Sequence, residues 1–391
     1  MLPAHLPPFE PLAWLPEEWA SWAKSAAEAG FRGQQIFEWL HRQGVYQPAG
    51  MRNLPALLRE RLEALWAEQG GSILQREDLS AAHPSADGTV KLLLKLSDDA
   101  QVESVWLPPL RGEDEGFGSE EARGPKAQVT QCLSTQVGCA IGCVFCASGQ
   151  EGWKRHLAAS EILLQALAPG LLPSPLALAD RFVLMGMGEP LHNYEATARF
   201  LRVLSHPRGR ALPLRRVILS TSGLVPQIDR LASDFRGEVG LAISLHAADD
   251  DLRSRLVPIN ARYPLAELMA AVRRYPLAAR RKITFEYTLM RGINDRPQDA
   301  KALSRWVEGL PALINLIPMN PVAGSEFQAP ERERVESFQK LLRARGLLAF
   351  VRKRRGDEVT AACGQLALQG KYERKKGALP LFPSASARGL S

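Results

Sequence analysis

Cys139, Cys143 and Cys146 stand at spacings of four and three in the run Cys139-Ala140-Ile141-Gly142-Cys143-Val144-Phe145-Cys146. Three thiols so close along the chain can converge on one inorganic centre, and thiolate sets suit zinc or iron–sulfur. A structural zinc site closes with four ligands, and neither a His nor a fourth Cys stands nearby at zinc-finger spacing. Three ligands leave one iron of a 4Fe-4S cluster open to a small molecule, the arrangement a catalytic cluster needs. Zinc and three packed, metal-free thiols are the competing readings. Cys132 lies seven residues upstream and Cys363 more than two hundred downstream, making five cysteines in 391 residues. An odd, scattered set does not suit the disulfide framework of a small secreted domain.

Chemistry of this kind needs a scaffold that brings distant segments together. From Cys132 onward, apolar β-like runs cover Phe182–Met185, Arg216–Ser220, Val239–Leu245, Ile283–Tyr287, Ile314–Ile317 and Leu347–Val351. Helical patterns over Tyr194–Leu204, Pro264–Arg274, Asp299–Val307 and Arg332–Arg345 alternate with them, the last closed by Gly346. Repeated strand–helix units imply a parallel sheet covered by helices, open or curled into a barrel, with function collected where strands end in loops. Those loops are Gly186-Met187-Gly188-Glu189-Pro190, Thr221-Ser222-Gly223, His246-Ala247-Ala248 and Pro318-Met319-Asn320-Pro321. Upstream, residues 10 to about 70 read as short amphipathic helices carrying Ile36, Phe37, Trp39 and Leu40, then Leu54, Leu57, Leu58, Leu62 and Leu65. A hairpin follows, Val90–Leu96 and Val102–Leu107 about the turn signal Ser97-Asp98-Asp99. Arg111 to Gln128, rich in Gly, Glu and Asp, reads as an exposed loop.

A composition of 46% hydrophobic and 23% charged residues excludes collagen-like, coiled-coil and wholly disordered chains. The formal charge is +7, and nine Lys/Arg against three Asp/Glu fall in the last 43 residues. A basic end of this kind suits either a polyanionic partner or a solvated tail. The N-terminus lacks a basic segment followed by an apolar one, and the apolar uncharged run Ile162 to Ala179 is broken by Pro169, Gly170, Pro173, Ser174 and Pro175. Neither a secretory signal nor a membrane span is expected, and the cytoplasm is the expected setting.

The CxxxCxxC run, with an aromatic before its last Cys, resembles the radical S-adenosylmethionine (SAM) enzymes. Gly186-Met187-Gly188-Glu189-Pro190 resembles the loop that holds the SAM amino group in them. Further runs are similar to one family, the radical SAM adenine-C2 methyltransferases of 23S ribosomal RNA and transfer RNA. They are Gln136-Val137-Gly138-Cys139, Ser220-Thr221-Ser222-Gly223-Leu224-Val225-Pro226, Ser244-Leu245-His246-Ala247, Val257-Pro258-Ile259-Asn260, Phe285-Glu286-Tyr287 and Gly292-Ile293-Asn294-Asp295. Asn315-Leu316-Ile317-Pro318-Met319-Asn320-Pro321, Arg355-Gly356-Asp357 and Ala361-Ala362-Cys363-Gly364-Gln365-Leu366 complete the set, and the resemblance runs from about Phe31 to Ala367. It implies an α/β fold, a partial (β/α)6 radical SAM barrel with a small N-terminal helical domain. Residues 1–75 are then an RNA-engaging head, 76–128 a β-hairpin and acidic loop, 129–369 the methyltransferase core and 370–391 a basic tail.

By the same resemblance, Cys139, Cys143 and Cys146 hold a 4Fe-4S cluster, and SAM is contacted by Gly188, Glu189, Ser220, Ser244, Leu245, His246 and Asn320. Cys363 is methylated by one SAM. A second SAM gives a 5′-deoxyadenosyl radical that takes hydrogen from the S-methyl group, and the carbon radical so formed adds to adenine C2. Cys132 releases the product through a transient disulfide with Cys363, and Glu103 is the proton acceptor. Arg352, Lys353, Arg354 and Arg355 before Cys363, and Lys371, Arg374, Lys375 and Lys376 after it, are the implied phosphate-binding groups. The helical head brings Arg32, Gln34, Gln35, His41 and Arg42. Implied partners are 23S rRNA, tRNA and an electron donor such as flavodoxin or ferredoxin, for a monomer with no membrane attachment. Two rivals remain: a sister branch methylating adenine C8 with the same cysteines, and a non-catalytic iron–sulfur or zinc RNA-binding protein. Val137, Pro190 and Pro318 look like the C2 branch, and the non-catalytic reading leaves Cys132, Cys363 and the Gly188-Glu189 loop without a use.

Overall fold

The computed structural model describes residues 6–68, 79–109, 128–172, 175–322, 325–352, 355–356, 361 and 364–366. Cys363, Lys353, Arg354, most of the acidic loop and the basic end from residue 367 lie outside the described residues. Among the described residues no helix is long and apolar enough to cross a membrane.

The chain opens with α1 (Pro16–Ser25), α2 (Phe31–His41) and α3 (Ala56–Glu68). Their apolar faces meet around an aromatic cluster in which the Trp14 and Trp19 ring centroids lie 5.0 Å apart and Trp19 stacks on Trp66 at 6.0 Å. Ile36, Phe37, Leu40, Leu58, Leu62 and Leu65 are buried as their spacing predicts, whereas Leu57 faces solvent on the far side of α3. His41, grouped by sequence with RNA-engaging residues, is instead packed against Phe37 with ring centroids 4.5 Å apart. Burial, with His206 nearby, pushes its pKa down to about 3. It is a neutral core residue and is not available to a phosphate. Ion pairs Arg199–Glu18 and Arg208–Glu38, each 2.8 Å, tie these helices to the rest of the molecule.

Next come β1 (Leu79–Pro84), β2 (Val90–Lys95), β3 (Gln101–Leu107) and β4 (Thr130–Cys132), then a separate ribbon of β5 (Gln136–Gly138) and β6 (Trp153–His156) that brackets α4 (Ala147–Glu151). After α5 (Ala159–Leu167) the alternation expected from sequence sets in. It runs β7 (Arg181–Leu184), α6 (Tyr194–Ser205), β8 (Val217–Thr221), α7 (Val225–Phe235), β9 (Gly240–Ser244), α8 (Asp250–Leu256), α9 (Leu265–Arg274), β10 (Ile283–Leu289), α10 (Pro297–Trp306), β11 (Ala312–Pro318), α11 (Arg332–Arg343) and β12 (Leu348–Val351). Among the described residues ten strands form one sheet, in the order β1-β2-β3-β4-β7-β8-β9-β10-β11-β12. It is antiparallel as far as β4 and parallel from β4 onward. The six strands β4 and β7 to β11 form the (β/α)6 core, and β12 extends it.

Strand alternation decides which side chains face inward. On β10, Ile283, Phe285, Tyr287 and Leu289 are fully buried on the helix-covered side, where Tyr287 stacks on Phe338 of α11 at 5.6 Å. Glu286 and Thr288 take the other face. By the same parity the inner face carries Ser220 on β8, Ser244 on β9 and Asn315 on β11, with Glu286 in register with both Ser244 and Asn315. In a flat sheet β7 and β12 stand about 24 Å apart, at about 4.8 Å per strand. Yet the end of β7 and Arg352, just past β12, line one cavity, so the sheet curls around it. The parallel set starts one strand earlier than the apolar runs suggest, because β4 and β5 are three residues each and show no periodicity.

Candidate active site

The three cysteines occupy the loop between β5 and α4 and border the cavity together with Ile141, Phe145 and Ser148. Cys139 N–H donates to Gly152 O (3.1 Å), Val144 N–H to Leu256 O (3.2 Å) and Gln150 Nε2 to Val144 O (2.7 Å), which fixes the loop from both sides. At Gly138 (φ +73°) a Cβ would sit 1.8 Å from Gly152 O, so only glycine lets β5 and β6 approach here. Burial pushes the Cys139 thiol up to about 12 and the Cys143 thiol well above its ordinary value, with the neighbouring sulfur charges adding to the push. Thiols so placed ionise only against a strong positive charge, which is what a metal cluster provides. Three sulfur donors on one loop, bordering one cavity, suit an iron–sulfur cluster with an iron left open to a ligand.

Gln136 links this loop to the next. Its Oε1 accepts from Glu189 N–H (3.0 Å) and Ala140 N–H (3.3 Å), and its Nε2 lies 3.1 Å from His156 Nδ1 and 3.0 Å from His192 Nδ1. Gly188 crosses directly over it at φ +101°, where a Cβ would fall 2.6 Å from Gln136 Cβ. Glu189 accepts from Ser222 N–H (2.8 Å) and Oγ–H (2.7 Å) and from Leu191 N–H (3.1 Å). Burial raises its pKa and these donors hold the rise back. The Thr221 side chain is a further donor to it, and the carboxylate borders the cavity.

Ser220 and Ser244 face each other across β8 and β9 with their Oγ atoms 3.2 Å apart. His246 follows β9 in a left-handed conformation (φ +58°), packs edge-on to Phe145 (4.9 Å) and accepts Thr288 N–H on Nδ1 (3.1 Å). Burial, then the charge of Arg253, lowers its pKa to about 3. The ring is therefore neutral with its proton on Nε2, and it offers a donor. Asn320 is buried at the end of β11 and, like Ser220, Ser244 and His246, borders the cavity. Leu245 does not; fully buried, it donates its N–H to Glu286 O and accepts from Arg253 Nε, each at 3.0 Å.

Arg253 is the residue that sequence reasoning missed. It is fully buried, and beyond Leu245 its guanidinium donates to Asn260 Oδ1 (2.7 Å), Ser222 O (2.7 Å) and Ser244 O (3.1 Å). One side chain thereby fastens the loops after β8 and β9. An Arg among the charged residues of α8 carries no signal of burial; its only sign was the neighbouring Val257-Pro258-Ile259-Asn260 run.

Cys132 ends β4 and belongs to an apolar cluster with Val105, Val183, Met187 and Leu366, against which Ala361 packs. Glu103 lies two residues from Val105 on β3 and hence on the same face, 2% exposed, with Lys91 Nζ 2.9 Å from its Oε1. Glu103 and Cys132 do not border the cavity that the three other cysteines share. The segment that carries position 363 is fastened on both sides. Arg355 donates to Pro108 O (3.3 and 3.2 Å) and Gly356 N–H to Asp87 Oδ2 (3.0 Å). Beyond it, Gly364 O accepts from Ala147 N–H (2.8 Å), Gln365 Nε2 donates to Pro321 O (2.8 Å) and Leu366 O accepts from Ser148 Oγ–H.

Residues 133–303 match the family model of the radical SAM superfamily, and residues 15–67 match that of the ribosomal RNA large subunit methyltransferase N-terminal domain. The chain is 51% identical over 390 residues to the dual-specificity RNA methyltransferase RlmN of Sorangium cellulosum, covering 95% of this chain and 99% of that one. It is 44% identical over 356 residues to the probable dual-specificity RNA methyltransferase RlmN of Moorella thermoacetica, covering 90% and 95%. The crystal structure of a radical SAM methyltransferase from Sphaerobacter thermophilus superposes with a TM-score of 0.79 at 39% identity, covering 92% of this chain and 99% of that one. Likeness of this depth along nearly the whole of both chains makes this chain a member of the dual-specificity RNA methyltransferase RlmN family, radical SAM transferases that work with a 4Fe-4S cluster and SAM.

Proposed function

We propose that the chain methylates C2 of adenine in 23S rRNA and tRNA. Cys139, Cys143 and Cys146 hold the cluster, and Cys363 carries the methyl group. SAM is framed by Gly188, Glu189, Ser220, Ser244, His246 and Asn320, with Leu245 acting only through its backbone. The seat of the residues after Cys363 carries this reading: Gly364 and Leu366 border the same cavity as the three cysteines, and consecutive Cα atoms stand only about 3.8 Å apart. A methyl-carrying thiol needs that proximity. When bound, cluster and SAM supply a methyl group and radical chemistry, which adenine C2 requires because its C–H gives a base-activated nucleophile little to work with.

The Glu189 carboxylate at the cavity wall suits the SAM ammonium, and neutral His246 donates from Nε2. Cys132 shares an apolar cluster with Leu366, three residues past Cys363, and this supports its resolving role. Its thiolate attacks the sulfur of Cys363; the S–S bond forms as the bond between that sulfur and the methylene carbon breaks, and the carbon keeps the bonding pair and gains a proton to become the methyl group. Glu103, buried with its Lys91 counter-ion on the Cys132 side of the sheet, takes the proton. A flavodoxin or ferredoxin supplies electrons, and the chain works as a monomer in the cytoplasm, where thiols stay reduced.

The test is anaerobic reconstitution with SAM, a reductant and rRNA or tRNA transcripts, followed by mass spectrometry of digested nucleosides. 2-Methyladenosine from both RNAs is expected. The 8-methyl isomer transfers the chain to the sister branch, and no methyl transfer with an intact cluster overturns both enzyme readings. Glu103→Ala is expected to accumulate a covalent RNA–protein complex.

A further inference from the structure

Glu286 has no part in the function proposed above, yet it stands in the middle of the cavity wall. It is 5% exposed, on the inner face of β10, and borders the cavity that the three cysteines share. Its Oε1 accepts from Asn315 Nδ2 at 3.0 Å. Its Oε2 is buried and meets no donor among the described residues. Buried polar atoms are satisfied in the great majority of cases, and an acceptor left open at a cavity wall is a place where a ligand's donor fits. Burial raises the Glu286 pKa, and the nearby charge of Arg352 holds the rise back. Arg352 borders the same cavity.

A carboxylate acceptor beside a guanidinium donor asks for a ligand that presents an N–H donor next to an acceptor. Adenine presents that pair on one edge, the N6 amino group and N7. Guanine shows two acceptors there, O6 and N7, and its O6 would face the carboxylate unfavourably. A base read on its N6/N7 edge turns N1, C2 and N3 the other way, toward the remainder of the cavity. Carbon must reach C2 from that side. Enzymes that act on an extruded base read it through such edge contacts inside a pocket.

We propose that Glu286, with Arg352 beside it, reads the N6/N7 edge of the target adenine. This rests on the reading of the chain as an RNA adenine methyltransferase. SAM carries an adenine too, so the test must tell the two sources apart. Methylation is measured for the reconstituted enzyme on two transcripts that differ at the target base, one with adenine and one with purine, which lacks the amino group. SAM affinity is measured in parallel by equilibrium dialysis.

One hydrogen bond to a charged acceptor gives the wild type a preference for adenine in kcat/KM of about 10- to 100-fold. In Glu286→Leu that preference is expected to shrink to about threefold or less through loss of adenine activity, with SAM affinity within about threefold of wild type. Glu286→Gln, which retains one acceptor oxygen and the side-chain shape, is expected to fall between them, and it decides the matter where the Leu variant fails to fold. A preference that survives in the variants overturns the proposal. So does a tenfold loss of SAM affinity with the preference intact, which assigns the carboxylate to the SAM adenine. Wild-type enzyme that methylates neither transcript overturns the underlying functional reading, and the proposal with it.

Discussion

The loops that carry Cys139, Cys143 and Glu189 keep their shape through a few buried polar hubs, whereas the strands that carry Ser220, Ser244 and Glu286 are held by the sheet ladder itself. Gln136, Arg253 and the carboxylate of Glu189 each satisfy several backbone groups of the loops around them. On the strand wall the inward side chains make few bonds to protein, and the backbone is paired without them. Loss of a hub therefore deforms the site, while loss of an inward strand side chain changes what the site binds and leaves its shape alone.

The largest effect is expected where loop geometry and ligand chemistry coincide. Cys143→Ala should abolish cluster assembly and turnover, read as lost iron and lost visible absorbance, while the apoprotein's denaturation midpoint moves little. Arg253→Leu should cost about 3–5 kcal/mol in urea unfolding, because it strands three carbonyls and Asn260 Oδ1 in the interior. A cost under 1 kcal/mol would show that water or a shifted loop replaces the guanidinium, and would break the contrast between the walls. Gly188→Ala, which brings a Cβ against Gln136 at a positive φ, should destabilise by about 2 kcal/mol and lower SAM affinity at the same time.

Acid reaches a third region and gives a control. His41 is held neutral with its pKa near 3, below its unfolded value. Its contribution is thus complete above about pH 6.5 and shrinks as pH falls toward 3. The loss is about 2 kcal/mol by pH 5, and His41→Gln should flatten the fall in stability between those values. The smallest effect belongs to the strand wall. Ser220→Ala should leave stability within about 1 kcal/mol of wild type while weakening SAM binding, measured by equilibrium dialysis.

Spacing made the cysteine loop legible in the sequence, since three thiols so close along the chain point to one inorganic centre, whereas Gly188-Glu189 and the inward serines entered through family likeness. The strand and helix alternation was legible as well, because β7 to β12 are apolar on both faces or alternate cleanly. Arg253 was not, since a charged residue on a short charged helix looks solvated until tertiary packing closes over it. His41 and Leu57 failed in opposite directions for one reason: helical spacing says which residues share a face, and only the neighbouring elements decide which face is covered. The resolving pair rested entirely on family likeness, because nothing local marks Cys132 as a partner for a residue more than two hundred positions away.

Seven residues, 357 to 363, separate Gly356, bonded to Asp87 between β1 and β2, from Gly364, bonded to Ala147 at the start of α4, and Ala361 N–H donates back to Gly356 O at 3.1 Å. On the proposed roles, bonds of Gly356 and Gly364 to their own chain make the methyl group private to one molecule, and the carrier at position 363 serves the cluster of that chain. A copy damaged at either the cluster or the carrier is lost outright, however many intact copies surround it, so the cell's capacity to modify RNA falls in proportion to the copies damaged.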